Sequence, residues 1–198
     1  MSPEQRRGRA TRLRALAAAL DVYAEHGTEG FTVHAVSARG GVSVGSLYHH
    51  FGSVDGLAAA VYAWCLTRLL DAVVEAVERA ASARAGIHAV VVAYLRFTHD
   101  EPAAARFVHA SSYASFLPAH APAVAAAKAP YMDRLMTWMR PHVAGGRIVD
   151  LPEPLLETLI VGPPAETARR WLAGAHDIDL REAIEHLPER VWRSVRAG

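Results

Sequence analysis

Residues 43 to 50 read Ser-Val-Gly-Ser-Leu-Tyr-His-His, a run of hydroxyls, a phenol and two imidazoles set among side chains too small to block an approaching surface. These groups suit hydrogen bonding to a polyanion and its bases. Ser46 can bond a base edge or a phosphate, Val44 can meet a thymine methyl, and His49 offers a ring nitrogen to a purine acceptor, while Tyr48 fits a phosphate oxygen. Bond-breaking chemistry has no comparable constellation. The chain has eleven histidines, yet no nucleophile motif or phosphate loop accompanies them. His49 and His50 are adjacent, and His99-Asp100-Glu101 falls at a helix end, so neither gives the i, i+4 histidine pair of a zinc helix. No catalytic residue, metal ligand or cofactor is assigned, and the chain is expected not to be an enzyme. Two alternatives remain open: a metal sensor using distant histidines such as His109 and His120, and a helical protein-interaction module in which the turn is merely structural.

The reading face needs elements to hold it. Thr32 can cap one short helix whose apolar side is Val33 and Val36. Gly40 and Gly41 allow the left-handed backbone of a tight turn, and Ser43 can cap a second helix. In that second helix Leu47 and Phe51 lie four apart and point inward, which turns Ser46, Tyr48, His49 and His50 toward the polar side. Upstream, Leu13, Leu16, Ala19, Leu20 and Tyr23 recur at helical spacing from about Thr11 to His26, with Gly27 as the terminator. This is helix-turn-helix logic, with a supporting helix in front.

The order Thr-Val, Val-Ser, Gly-Val-Ser and then Gly-Ser-Leu-Tyr-His-His-Phe, following an amphipathic helix, resembles the DNA-binding domain of the TetR family of transcriptional regulators. The likeness covers roughly residues 11 to 60; the rest of the chain fits by length and helicity. It implies an all-α protein with an N-terminal DNA-binding domain over residues 1–52 and a helical effector-binding and dimerisation domain over 53–198. Thr32 and Tyr48 match positions that clamp the DNA backbone, and Ser43, Val44, Gly45, Ser46 and His49 match the reading face, with Arg39 and His50 beside them. The implied partners are a double-stranded, palindromic operator, a small-molecule effector and a second copy of the chain, and the implied mode is repression. Two places where such regulators often carry lysine hold Val44 and Val54. Losing these cations lowers the electrostatic share of affinity and its salt dependence.

The 198 residues are long enough to bury a full core, and 52% are hydrophobic, with abundant alanine favouring helix. A formal net charge of +1 excludes a protein that coats nucleic acid through bulk charge, so any contact with DNA must be local. Arg6, Arg7, Arg9, Arg12 and Arg14, opposed only by Glu4, make the N-terminal arm locally basic. That arm reads either as a solvated tail or as a segment that orders along phosphates. Lys128 is the sole lysine, so arginine enrichment reflects a compositional bias. The single cysteine, Cys65, excludes an internal disulfide framework and reads as a buried structural thiol in a reducing compartment. No apolar run is expected to approach the roughly 18 residues of a membrane span, and the arginine-rich start lacks a signal peptide's apolar core. A cytoplasmic protein without membrane contact is expected.

Beyond the turn motif, Ser53 can cap a long helix with a wide apolar band from Leu57 to Val77. A helix near Ala85 should stop before Pro102, which suits the first turn of the next. A loop is expected around Phe116, Pro118 and Pro122, then a helix to about Val143 with Pro130 inside it. Gly145-Gly146 should break the chain, Gly162-Pro163-Pro164 should interrupt the following helix, and Asp179 should open the last one. The aromatic and methionine-rich middle offers an effector pocket from Trp64, Tyr94, Phe97, His109, Tyr113, Phe116, Met132, Met136 and Met139. The C-terminal helices offer a dimer face from Leu159, Ile160, Trp171, Leu172, Ile184, Leu187 and Val191.

Overall fold

The structure is a computed structural model that describes residues 2–111, 117–175 and 177–198. Among the described residues the chain forms helices α1 (Pro3–Gly30), α2 (Val33–Gly40), α3 (Val44–Phe51), α4 (Val54–Glu78), α5 (Ala83–Asp100), α6 (Pro102–Ser111), α7 (Leu117–Ala144), α8 (Glu153–Leu172) and α9 (Leu180–Val195), with no strand. One isolated antiparallel pairing joins Ile148 to Arg196. The all-α architecture expected from the sequence is present. By their contacts the residues group into two compact units, Met1–Leu66 with Phe107–Ala127, and Thr67–Arg106 with Lys128–Gly198.

In the first unit, α1 begins at Pro3 because residues 2–5 form a capping box. Ser2 Oγ accepts the Gln5 backbone N–H (3.2 Å) and Gln5 Oε1 accepts the Ser2 N–H (2.8 Å). The basic arm is therefore helical from its start, which decides against the solvated tail, one of its two readings. At Gly27 (φ 64°, ψ −160°) the backbone leaves helical geometry, as the sequence suggested, and a short turn carries it on to Gly30. Leu16, Val22, Val36, Leu47, Leu57 and Val61 are closed from solvent. Tyr23 meets Phe107 edge-on at 4.6 Å, adding an aromatic contact to this core. Cys65 is buried here as expected.

The second unit packs α5 against α8 and α9. Ile87, Val91 and Leu95 of α5 are wholly buried, as are Ile148 and Val195. At Gly86 a Cβ would stand 1.9 Å from Trp138 Cζ2, so only glycine admits the indole at this point. Glu189 on α9 gathers cations: Arg84 Nη2 donates at 2.8 Å, Arg193 Nε at 3.1 Å, and His88 Nε2 lies 3.2 Å away. Arg134 makes a two-pronged bond to Glu78 at 2.8 and 2.6 Å.

Proline placement departs from the sequence reading twice. The loop expected around Pro118 and Pro122 is, from Leu117 onward, the opening of α7; Phe116 lies outside the described residues. Pro118 falls in the first turn, where no N–H bond is lost, and the alanines that follow carry the highest helix propensity. Gly162-Pro163-Pro164 does not interrupt α8, which runs through it to Leu172. The two prolines withdraw N–H groups from the Leu159 and Ile160 carbonyls, but Pro164 is itself buried and packing outweighs the lost bonds. A third correction concerns α4. Its apolar run is long enough by length and composition to cross a membrane, with mean hydropathy 1.6, whereas no such run was expected; 44% of that window is buried within the chain.

Two outcomes test this packing. Gly86→Ala is expected to destabilise the fold by about 1–3 kcal/mol through overpacking against Trp138, read by urea unfolding. Hydrogen bonding from Arg84 holds the Glu189 carboxyl below its usual value of 4.5. Its folded value lies below the unfolded one, so the cluster's stabilisation is complete above that value and is lost as pH falls through the folded value. Glu189→Gln is expected to lower the melting temperature at pH 7 and to flatten its decline in acid.

Candidate nucleic-acid interface

The turn motif is built by local hydrogen bonds before any long-range contact. Thr32 Oγ1 accepts the Ala35 N–H (3.2 Å) to start α2, and Ser43 Oγ accepts the Ser46 N–H (3.2 Å) to start α3. Between them Gly41 takes the left-handed conformation (φ 59°, ψ 32°), while Gly40 serves differently from expectation. Gly40 has no positive φ; a Cβ there would lie 2.9 Å from the Ala18 Cβ. Its small size lets α2 close on α1. Val33 and Val36 are buried as the spacing required.

α3 has one fully buried side chain, Leu47 (2% exposed). Gly45, Tyr48 and His49 are exposed, at i, i+3 and i+4, and form a stripe. Val44, Ser46 and His50 flank it, half-buried. Phe51, expected inward, is half-buried, and the Arg12 guanidinium sits 5.6 Å above its ring centre. One arginine of the basic segment is thus a strut between α1 and α3, a role without a periodic signal in the sequence. The His49 and His50 rings meet edge-on at 5.4 Å.

Arg39 is not a free cation. It donates to Glu25 of α1, and this hydrogen bond lowers the Glu25 pKa and raises that of Arg39. The pair fastens α2 to α1 and occupies a side chain expected to face DNA. Arg6, Arg7, Arg9 and Arg14 are exposed and have no acidic partner within 4 Å among the described residues. A capped, polar, small-residue helix presented beside exposed arginines is the geometry of a helix-turn-helix DNA-binding protein.

Comparison with known proteins agrees with this geometry. Residues 15–61 match the family described as bacterial regulatory proteins, tetR family. A TetR family transcription regulator from Marinobacter aquaeolei VT8 superposes with a TM-score of 0.76 at 21% identity, covering 98% of this chain and 100% of that one. The fatty acid degradation regulator FadR from Bacillus halodurans gives 0.74 at 17% identity, covering 92% and 98%. FadR from Bacillus subtilis, solved in complex with stearoyl-CoA, gives 0.75 at 18% identity, covering 90% and 96%. No curated protein matches the chain. Residues 15–61 thus match the N-terminal domain of the tetR family of bacterial regulatory proteins, and the chain as a whole shares the fold of solved TetR-family regulators.

The described residues expected to form an effector pocket belong to both units. Phe97 lines a groove of about 520 Å³ between α4 and α5, and Met136 and Met139 line a smaller one of about 340 Å³ between α7 and the start of α8. Tyr94 is buried and Met132 half-buried in the second unit, whereas Trp64 and His109 fall in the first. Tyr113 and Phe116 lie outside the described residues. Of the expected dimer face, Ile160 and Val191 are buried within the second unit, while Leu159, Trp171, Leu172, Ile184 and Leu187 are half-exposed. Leu155, not singled out from the sequence, is 52% exposed. Among the described residues no group of three or more His, Cys, Asp or Glu is placed to hold a metal ion.

Position 43 separates folding from recognition. Ser43→Ala is expected to cost about 1 kcal/mol by loss of the cap. Ser43→Asp keeps a capping oxygen but sets a negative charge beside phosphates, so it is expected to preserve the melting temperature and still weaken DNA binding at least as much as the alanine variant.

Proposed function

We propose that the chain is a ligand-responsive repressor that binds a palindromic operator as a homodimer, with residues 1–52 acting as the DNA-binding domain and 53–198 as the effector-binding and dimerisation domain. The observation that carries this reading is the solvent-facing stripe of Gly45, Tyr48 and His49 on a capped helix anchored by Leu47. In a helix-turn-helix protein the second helix enters the major groove. Val44, Gly45 and Ser46 then approach the base edges, while Thr32 and Tyr48 hold phosphates on either side.

One such helix reads too few base pairs for useful specificity, so a second copy is required. The apolar side chains left open on α8 and α9 support that pairing: Leu155 and Leu159 stand one turn apart, with Ile184 and Leu187 on the neighbouring helix. An effector-responsive second unit is supported by its grooves and by the precedent of the Bacillus subtilis FadR solved with stearoyl-CoA. A cytoplasmic location follows from the role.

Selection of bound fragments from a random duplex pool is expected to enrich a palindromic consensus. Failure to enrich any sequence at low salt overturns the reading. The paired change Leu155→Glu with Leu159→Glu is expected to convert a dimer to a monomer in gel filtration and to weaken operator binding by at least about tenfold through loss of the second half-site. With the enriched operator, the slope of log affinity against log salt is expected to fall by about 0.9 for each phosphate contact removed when Arg6, Arg7 and Arg9 become Gln.

A further inference from the structure

We propose that the groove between α4 and α5 in the second unit binds an anionic amphiphile, with Arg96 receiving its negatively charged head. The inference rests on the ligand-responsive reading above and names the class of ligand. The groove exists because Ala72 and Ala76 of α4 face Ala89 and Ala93 of α5, and side chains that stop at Cβ leave about 520 Å³ between the helices. Val92 and Phe97 supply larger apolar surface. The volume falls within the usual range for small-molecule sites, and the lining suits a hydrocarbon body rather than a polar one.

Three charged groups line the same groove, Arg96, Asp100 and Glu101. Glu101 accepts from Arg68, and Asp100 Oδ1 lies 2.9 Å from His99 Nδ1. Arg96 has no acidic partner within 4 Å among the described residues. Both carboxylates thus have a hydrogen-bonding neighbour outside the groove lining, whereas the Arg96 guanidinium is in no ion pair among the described residues. A ligand with an apolar body and a carboxylate, phosphate or sulfate end complements that arrangement; guanidinium takes such oxyanions in two parallel hydrogen bonds. A cationic amphiphile would have to share those carboxylates with Arg68 and His99.

The test uses the full chain and three probes of equal chain length below their micelle concentrations: dodecanoate, dodecanol and dodecyltrimethylammonium. Titration calorimetry is expected to show dodecanoate binding about tenfold tighter than dodecanol, the gain from one charge-assisted contact. Arg96 is exposed, so Arg96→Gln should keep the helical circular dichroism and bring dodecanoate down to the alcohol's affinity. Asp100→Asn should tighten dodecanoate, and Ala93→Leu, which fills the groove, should weaken both dodecanoate and dodecanol. Tighter binding of dodecyltrimethylammonium than of dodecanoate, or dodecanoate affinity unchanged in Arg96→Gln, overturns the proposal. Operator binding without any probe is measured alongside. If the operator is bound but dodecanoate is not, the groove assignment alone fails; if no operator is bound under any condition, the regulator reading fails whatever the groove holds.

Discussion

Burial of Leu47 is the constraint on which the reading helix depends. α3 has eight residues, too few for a helix to stand alone in water, and Leu47 is its one fully buried side chain. Closing that side chain against the first unit contributes roughly 1.5–3 kcal/mol. The Ser43 cap adds to it. Everything on the opposite side of α3 is thereby free to be polar, small and exposed, and so available to a ligand as broad as a duplex. The same economy recurs in α2, where Val33 and Val36 are buried and Gly40 lets the helix lie close to Ala18.

Charge is distributed by a parallel logic. With a net charge of +1 the chain has no long-range field to draw DNA inward, and positions 44 and 54 of the motif carry valines and no charge. Arg39 is committed to Glu25 and Arg12 to Phe51, so two of the nearest cations serve the fold. What remains uncommitted is the outer face of α1, held helical from Pro3 by the Ser2–Gln5 box. Ordering these arginines in advance removes part of the entropic cost of gathering them on DNA. Position rather than quantity of charge then sets the contact.

Local signals in the sequence were legible wherever a helix end is decided by a side chain. Thr32, Ser43, Ser53 and Asp179 all cap the helices that follow them, and Gly27 and Gly41 take the positive φ expected of turn glycines. Prolines misled because their local cost can be overridden by packing, as at Pro163 and Pro164, or absorbed in a first turn, as at Pro118. The Ser2–Gln5 box is a local signal of the same kind, set at a terminus, where chains are usually loose. Side-chain partnerships between distant residues, Arg39 with Glu25 and Trp138 over Gly86, left no periodic trace. A cluster of aromatics in sequence does not by itself say whether those rings share one cavity, and Tyr113 and Phe116 lie outside the described residues.

On the proposed reading, α3 and the start of α2 are the surfaces that meet DNA. Amide hydrogen exchange of the full chain, measured with and without an operator duplex, tests it directly. Added protection is expected over Val44–Phe51 and at the N–H groups of residues 33–35, with the second unit changing less. Unaltered exchange in those segments at saturating DNA, with protection appearing elsewhere, would contradict it.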